Sequence, residues 1–218
     1  MKLKHFLLCV MGILIPATVF SAEYYVVPGL RATGNDGSSW EKAITMYDIF
    51  ENDAIAAKND EVSKYKTGDV FFLAGGTYYN AASPGSDAGR IYRGYIFVGG
   101  CDQSKGTVTE WPAYPSATPT IFSGDLDENG GPSAGDLRNL IHVRQARNDD
   151  AENLAHICKL IGIDFTCSYS PEGSTNASGA VYCTQGAIEL QYCNIYNNIS
   201  KGEGTGEYEQ VKSIPISL

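Results

Sequence analysis

The spacing of apolar residues along the chain changes at about residue 68. Between residues 38 and 59 apolar side chains recur at helical intervals, and Ser38 with Glu41 is typical of a capping box, so we predict a helix over residues 39–57. Beyond it, short apolar runs separated by Gly, Pro, Ser, Asn and Asp indicate strands and turns. The predicted strands, including one before the helix, lie at residues 23–27, 70–74, 94–100, 120–124, 139–143, 158–166, 180–183 and 187–198.

The segment GDVFFLAGGTYY, residues 68–79, indicates how such strands are connected. Residues 70–74 are all apolar, which favours a strand covered on both faces, as in parallel sheets, over one strand of a hairpin. Gly75 and Gly76 then interrupt the run before a second strand begins at Thr77. We therefore predict a sharp corner in a continuing coil and not a chain reversal.

A sequence repeat supports the coil. The pattern L-x-x-I-x-F at residues 160–165 recurs as L-x-x-C-x-I at residues 190–195, an offset of 30 residues. Repeats of this length built from short strands are typical of solenoids, in which each coil buries its apolar face on the next. We predict an all-β chain that forms a right-handed parallel β-helix, with the N-terminal α-helix capping the open bottom of the solenoid.

An ordered series of segments carries a family resemblance. The segments are YYVVPGLRATGNDGSSWEKA, GDVFFLAGGTYY, GYIFVGGCDQSKG, EWPAYPSATPTIFSGDLDENG and NLIHV. In this order they resemble the N-terminal part of the secreted right-handed β-helix proteins of Bacteroidetes-type bacteria. Those proteins are related to polymorphic outer membrane protein repeats and, more distantly, to the pectin-lyase-like superfamily. The resemblance covers roughly residues 23–200 and implies the fold. It implies no single activity, because the superfamily includes lyases, hydrolases and adhesins.

Both ends of the chain differ in composition from the predicted coils. Residues 1–21 combine early lysines, an apolar run and a small-residue cleavage site, so we expect a signal peptide and a secreted or cell-surface protein. Residues 22–200 hold the cap and the coils. Residues 201–218 have no coil spacing. We expect them to form an irregular tail on a product truncated at its C-terminus, which leaves the last coil with an exposed edge that favours self-association.

The charge of the chain restricts its partners. The formal net charge is −9, and loss of the signal segment with Lys2 and Lys4 lowers it to about −11. We expect no nucleic-acid partner, because an acidic surface repels phosphates. No apolar run after the signal segment is long enough to predict a membrane span. We expect the partner to be a carbohydrate or a host surface.

An acidic loop follows the predicted strand at residues 120–124. In DLDENGGPSAGD, residues 125–136, acids or amides occupy positions 1, 3 and 5, with Gly at 6, Ser at 9 and an acid at 12. This is the spacing of a calcium loop, which wraps hard oxygen ligands around one ion. The candidate calcium ligands are Asp125, Asp127, Asn129 and Asp136. The last acid is shorter than the usual Glu and no helices flank the loop, so an ordinary turn between coils is the alternative.

The resemblance also suggests a catalytic arrangement to look for. The superfamily's lyases combine acidic calcium ligands with an Arg or Lys base on a neighbouring strand; the ion neutralises a uronate and the base removes its C5 proton. Arg144 is the candidate base because it borders the strand at residues 139–143, and Arg138 and Arg147 lie close in sequence. The alternative is that these arginines are solvated on the outer face of the coil.

Other chemistry has less support in the sequence. Asp149-Asp150 lies in a polar turn, and the Asn-Thr-Asp and Gly-His-Gly segments of the superfamily's hydrolases are absent, so we do not expect glycoside hydrolysis. His142 and His156 are isolated, which favours structural roles. The cysteines after the signal segment form no C-x-x-C pair, which argues against zinc and favours interior positions, with one disulfide compatible with an oxidising compartment. These cysteines are Cys101, Cys158, Cys167, Cys183 and Cys193.

Aromatic residues provide the last candidates. We expect Trp40 to pack beneath the helix and Trp111, with some of the 14 tyrosines, to be exposed for stacking on sugars. The leading prediction is a non-enzymatic, adhesin-like or glycan-contacting β-helix module. The alternative is a polysaccharide lyase that performs calcium-assisted β-elimination on a polyuronate, or an inactive remnant of one.

Overall fold

The structure, a computed structural model, describes residues 21–29, 34–59, 63–79, 89–144, 157–172 and 179–201. Nearly all of the predicted signal segment and tail lie outside these ranges. The regular structure of the described residues is mostly β-strand in parallel sheets, with one α-helix, in agreement with the predicted all-β class. None of the helical structure in this part of the chain is long and apolar enough to cross a membrane.

The helix and strands follow in chain order, with several strands of only two to four residues. The elements are β1 (Glu23–Val26), α1 (Met46–Asn59), β2 (Val70–Ala74), β3 (Gly76–Tyr78), β4 (Arg90–Ile91), β5 (Ile96–Cys101), β6 (Thr120–Ser123), β7 (Ile141–Arg144), β8 (Ile157–Ile161), β9 (Ile163–Thr166), β10 (Tyr169–Ser170), β11 (Val181–Gln185), β12 (Ala187–Gln191), β13 (Asn194–Tyr196) and β14 (Ile199–Ser200). The sequence patterns missed the two-residue strands, which are too short to show a period of two.

Parallel pairing sorts the strands into three sheets and one additional pair. The first sheet has the order β1-β2-β5-β8-β12, the second β3-β6-β9-β13 and the third β4-β7-β11, while β10 pairs with β14. Because β2 and β3 belong to different sheets, the chain turns a corner at Gly75 and Gly76 and does not reverse. Gly76 has φ +134°, a value that favours glycine. The prediction of a corner is confirmed.

The predicted repeat is confirmed in the strand register. Leu160 lies opposite Leu190 in the first sheet, and Phe165 lies opposite Ile195 in the second. Equivalent residues of the repeat therefore stack directly on one another, and their side chains point to the same side of the sheet.

The first sheet is buried on both faces over β2 and most of β5. Every residue of β2 is buried, as its continuous apolar sequence predicts. On the inner face the rings of Phe71 and Phe97 stack with centroids 5.1 Å apart. On the outer face a separate apolar cluster is covered by the segment at residues 102–118 and by Trp40. The outer cluster contains Tyr25, Val70, Phe72, Val98, Cys101 and Ile161.

The helix begins later than the sequence prediction of residue 39. Trp40–Lys42 form a single 3-10 turn, and Ile44 then pairs with β1 through hydrogen bonds of 2.9 Å to Tyr25 and Val27. Pairing with the strand competes with helix formation over these residues. The predicted capping box at Ser38 and Glu41 is therefore wrong. The box that the structure contains is Thr45 with Asp48, whose carboxylate accepts both the Thr45 N–H and the Thr45 hydroxyl.

A buried carboxylate attaches α1 to the sheets. Asp53 is fully buried and accepts hydrogen bonds from the Tyr95 hydroxyl at 2.6 Å and from the Tyr92 N–H at 3.1 Å. The Arg93 guanidinium lies 3.4 Å away. Burial raises the pKa of Asp53, and these hydrogen bonds and the nearby positive charge oppose that rise. The helix is thus held by one polar network in addition to its apolar face.

Trp40 lies on the outer face of the first sheet, whereas the sequence predicted that it would pack beneath α1. Its ring meets Tyr25 edge-on with centroids 4.6 Å apart, and its indole N–H donates to the Gly106 carbonyl at 2.7 Å. Trp40 therefore contacts both the outer face of the first sheet and residues 102–118, the covering segment, and holds the two together.

Tyr114 of the covering segment packs against the corner between β8 and β9. Its hydroxyl donates to the Gly99 carbonyl at 2.9 Å, and its ring lies over Gly162. A Cβ atom at Gly162 would lie 1.8 Å from the Tyr114 ring, and Gly162 also has φ +64°. Glycine is required at this corner for close approach as well as for backbone conformation.

We predict that Gly162→Ala destabilises the protein more than Gly68→Ala. Gly68 also has a positive φ, +90°, but a Cβ there meets no atom within 4 Å. Both substitutions strain the backbone, and only Gly162→Ala displaces the Tyr114 ring, so we expect an additional loss of about 1–3 kcal/mol. Urea unfolding of the two variants measures the difference. Equal losses would show that Tyr114 does not hold this corner.

Candidate functional site

The acidic loop predicted from the sequence begins directly after β6. The Asp125 N–H bonds to the Ser123 hydroxyl, and the chain returns where the Leu137 N–H donates to the Gly124 carbonyl at 3.1 Å. The loop is therefore closed at its base by the backbone, and its residues extend from the corner that follows β6.

Asp136 ties the two halves of the loop together. It is buried, and its two carboxylate oxygens accept the N–H groups of Leu126, at 3.1 Å, and Ser133, at 2.6 Å. Burial raises the pKa of Asp136, and the nearby carboxylates of Asp127 and Asp125 raise it further.

The structure brings three of the predicted calcium ligands together. One carboxylate oxygen from each of Asp125, Asp127 and Asp136 lies within 4.8 Å of the others. Oxygen ligands at this separation can share one hard divalent cation. The Ser133 hydroxyl donates to Asp127 at 2.8 Å, which lowers the pKa of Asp127 and keeps it ionised.

Asn129, the fourth predicted ligand, uses its side chain within the loop. Its amide nitrogen donates to Asp127 at 2.9 Å, and its amide oxygen accepts the Gly131 N–H at 2.9 Å. The structure thus places the Asn129 side chain beside the three carboxylates, with its oxygen directed to the backbone. Calcium binding stays a prediction that rests on the three acids.

Tyr79 is a neighbour of this loop that the sequence analysis did not single out. It follows β3 directly and is 43% exposed. Partial burial raises its pKa, and so do the negative charges of Glu128 and Asp125. Only the alignment of β3 beside β6 brings Tyr79 to the loop, so no local sequence pattern could have identified it.

Arg144 and the acidic loop are at opposite ends of β7 in chain order. The loop precedes β7, whereas Arg144 is the last residue of that strand and pairs with Gln185 at an irregular position. From Ile141 to Arg144 the strand advances about 10 Å. Arg138 is half-buried two residues after Asp136. In chain order, the candidate base of the lyase hypothesis therefore ends β7, and its metal ligands precede that strand.

The remaining candidate residues differ in burial, and some of them lie outside the described residues. His142 is buried on β7 with its ring 4.6 Å from Tyr182. Trp111 is 52% exposed. The five cysteines named above are free thiols in the structure. Arg147, Asp149, Asp150 and His156 lie outside the described residues.

Comparison of the chain with protein-family models, curated proteins and solved structures gave no match.

We predict that calcium raises the melting temperature of the protein and that Asp125→Asn or Asp127→Asn abolishes the rise. An ion that binds only the folded state stabilises it by about 1.4 kcal/mol at ten times its dissociation constant. For a chain of this size that corresponds to roughly 3–6 °C. Calorimetry with millimolar calcium, against a chelator, measures the shift.

Glu128→Gln is the matched control for this experiment, because Glu128 is an exposed acid of the same loop outside the three-carboxylate cluster. It should keep the full shift. Two outcomes would contradict a calcium site and show that the loop is an ordinary turn. One is a wild-type protein with no calcium-dependent shift, and the other is a loss of the shift in Glu128→Gln equal to the loss in the Asp125 and Asp127 variants.

Proposed function

We propose that the protein is a secreted or cell-surface right-handed parallel β-helix that acts as a non-enzymatic, adhesin-like or glycan-contacting module. The observation that carries the proposal is the order in which the chain visits its sheets. Strands β2, β3 and β4 enter the first, second and third sheets in turn, and β5, β6 and β7 repeat that order. Each return adds a parallel strand to the previous one, which is the connectivity of a solenoid.

Aromatic stacking supports the same proposal. On the inner face of the first sheet, Tyr24 stacks on Phe71 with centroids 5.3 Å apart, and Phe71 stacks on Phe97. In the second sheet Tyr78, Phe122 and Phe165 are consecutive members of one row. Such rows are expected where each repeat buries its apolar residues on the next. A right-handed path follows from the general preference of parallel connections.

A surface role is supported by the ends and faces of the molecule. The sequence pattern of residues 1–21 is that of a secretory signal. Large aromatic side chains stay exposed on the described surface, and the acidic net charge disfavours anionic partners. A carbohydrate or a host surface is accordingly the proposed partner.

The repeat formed by β11, β12 and β13, the last in the described part of the chain, is the proposed surface for self-association. Inward-facing apolar residues of β11, β12 and β13 are only partly buried, in contrast to their equivalents one repeat earlier. Ile188, for example, is half-buried above the fully buried Cys158. A sheet edge with a half-open apolar interior favours contact with another copy.

The lyase alternative is favoured by one observation, the three clustered carboxylates of the acidic loop. It also requires a base beside the bound ion, and the candidate base Arg144 follows the loop in the chain by the whole length of β7. Proton removal from a uronate needs such a base in contact with the substrate. The non-enzymatic function is therefore the better supported of the two.

We predict no β-elimination on pectate, alginate or glycosaminoglycans in the presence of millimolar calcium. The assay is the near-ultraviolet absorbance of the unsaturated uronate product. Calcium-dependent release of that product, lost in Arg144→Ala and retained in the control Lys105→Ala, would replace the proposed function with the lyase. Lys105 is a suitable control because it is an exposed basic residue on the segment that covers the first sheet.

A further inference from the structure

An exposed tyrosine occupies a corner where the preceding repeat has glycine. Tyr192 connects β12 to β13 and has φ +54°, while Gly162 connects β8 to β9 with φ +64°. A bulky side chain in the left-handed region is uncommon, and such residues concentrate at functional positions. Glycine would satisfy the backbone here, so the tyrosine side chain calls for another explanation.

The ring of Tyr192 is supported from one side. It stacks on Tyr114 with centroids 5.0 Å apart and an interplanar angle of 16°. Tyr114 is itself held by its hydrogen bond to Gly99 and by the corner at Gly162. Tyr192 nevertheless stays 49% exposed. The corner therefore presents a flat aromatic ring in a fixed orientation to solvent.

Hydrogen-bonding groups follow Tyr192 closely in the chain, on β13 of the next sheet. The exposed Asn194 donates to the Asp164 carboxylate at 2.7 Å across the neighbouring strand. Because Ile195 packs against the core, Asn194 and Tyr196 lie together on the outer face. Tyr196 is 44% exposed. The four steps of the chain from Tyr192 to Tyr196 span at most about 14 Å.

We propose that this tyrosine face, formed by Tyr192, Asn194, Tyr196 and Asp164, binds a neutral oligosaccharide. The apolar faces of sugar rings stack on exposed tyrosines, and an amide paired with a carboxylate offers both donors and acceptors to sugar hydroxyls. The separation of the two tyrosines suits a glycan of two or three sugars. The inference names a binding site for the glycan-contacting function proposed above and rests on it.

Charge determines the class of glycan. Asp164 contributes a carboxylate to the face, and on the other side of the Tyr192 corner Gln191 donates to Glu189 at 2.5 Å. Glu189 also pairs with Lys159 at 3.1 Å, so the one cation in this group is neutralised. A uronate would meet like charge here, whereas the hydroxyl groups of a neutral sugar can donate hydrogen bonds to the carboxylates. Neutral glycans are therefore the expected ligands.

The test is isothermal titration of the whole protein with cellotriose, xylotriose, mannotriose and trigalacturonate. We expect binding of at least one neutral trisaccharide and no binding of trigalacturonate. Tyr192→Gly should weaken that binding at least tenfold. This variant restores the residue found one repeat earlier, so the corner should fold, and an unchanged circular dichroism spectrum checks that it does. Asn194→Ala should weaken binding independently.

Tyr47→Ser is the matched control, because Tyr47 is a tyrosine of α1 with 38% exposure outside this face. It should bind like the wild type. Binding that survives both Tyr192→Gly and Asn194→Ala would overturn the tyrosine face and leave a glycan-contacting function in place. Tighter binding of trigalacturonate than of the neutral trisaccharides would contradict the inference that the ligand is a neutral glycan. Absence of binding to every trisaccharide would overturn this inference, while the lyase assay tests the non-enzymatic function separately.

Discussion

Burial of the first sheet on both faces, over β2 and most of β5, is the constraint on which the rest of the structure depends. Its inner residues form the main core, and its outer residues need a second cover, which residues 102–118 and Trp40 supply. A strand in this position must be apolar at every residue, as VFFLA is. Neighbouring strands then align in register, because a slip by one residue would exchange the two faces. Toward β12 the outer face of the first sheet becomes polar, with Lys159, Glu189 and Gln191. The covering segment does not extend over these residues.

The cover also links the fold to the candidate glycan site. Tyr114 belongs to the covering segment, yet its ring lies over the Gly162 corner and stacks on Tyr192 one repeat later. The Tyr114 side chain thus explains why the corner at Gly162 requires glycine and why the corner one repeat later can hold a tyrosine. The platform at Tyr192 is consequently rigid, which reduces the entropy lost when a ligand binds.

Two surface regions with different chemistry follow from this arrangement. The acidic loop after β6 gathers carboxylates around a point that suits a cation. The tyrosine face after β12 combines aromatic rings with an amide–carboxylate pair. The first has a local sequence signature and the second has none. A structural cation and a glycan-binding surface are compatible with one non-enzymatic module, since binding an ion and binding a glycan both take place without a catalytic base.

The sequence by itself determined the features that depend on neighbours in the chain. These are the parallel, doubly buried strand at residues 70–74, the glycine corner after it, the 30-residue repeat and the ligand spacing of the acidic loop. Only the tertiary structure decided the rest. It moved the start of the helix to Met46, because Ile44 pairs with β1, and it placed Trp40 on the outer face. It also brought Tyr114 and Tyr192 into contact across 78 positions of the chain. Contacts between residues so far apart depend on which strands stack, and local periodicity carries no information about that.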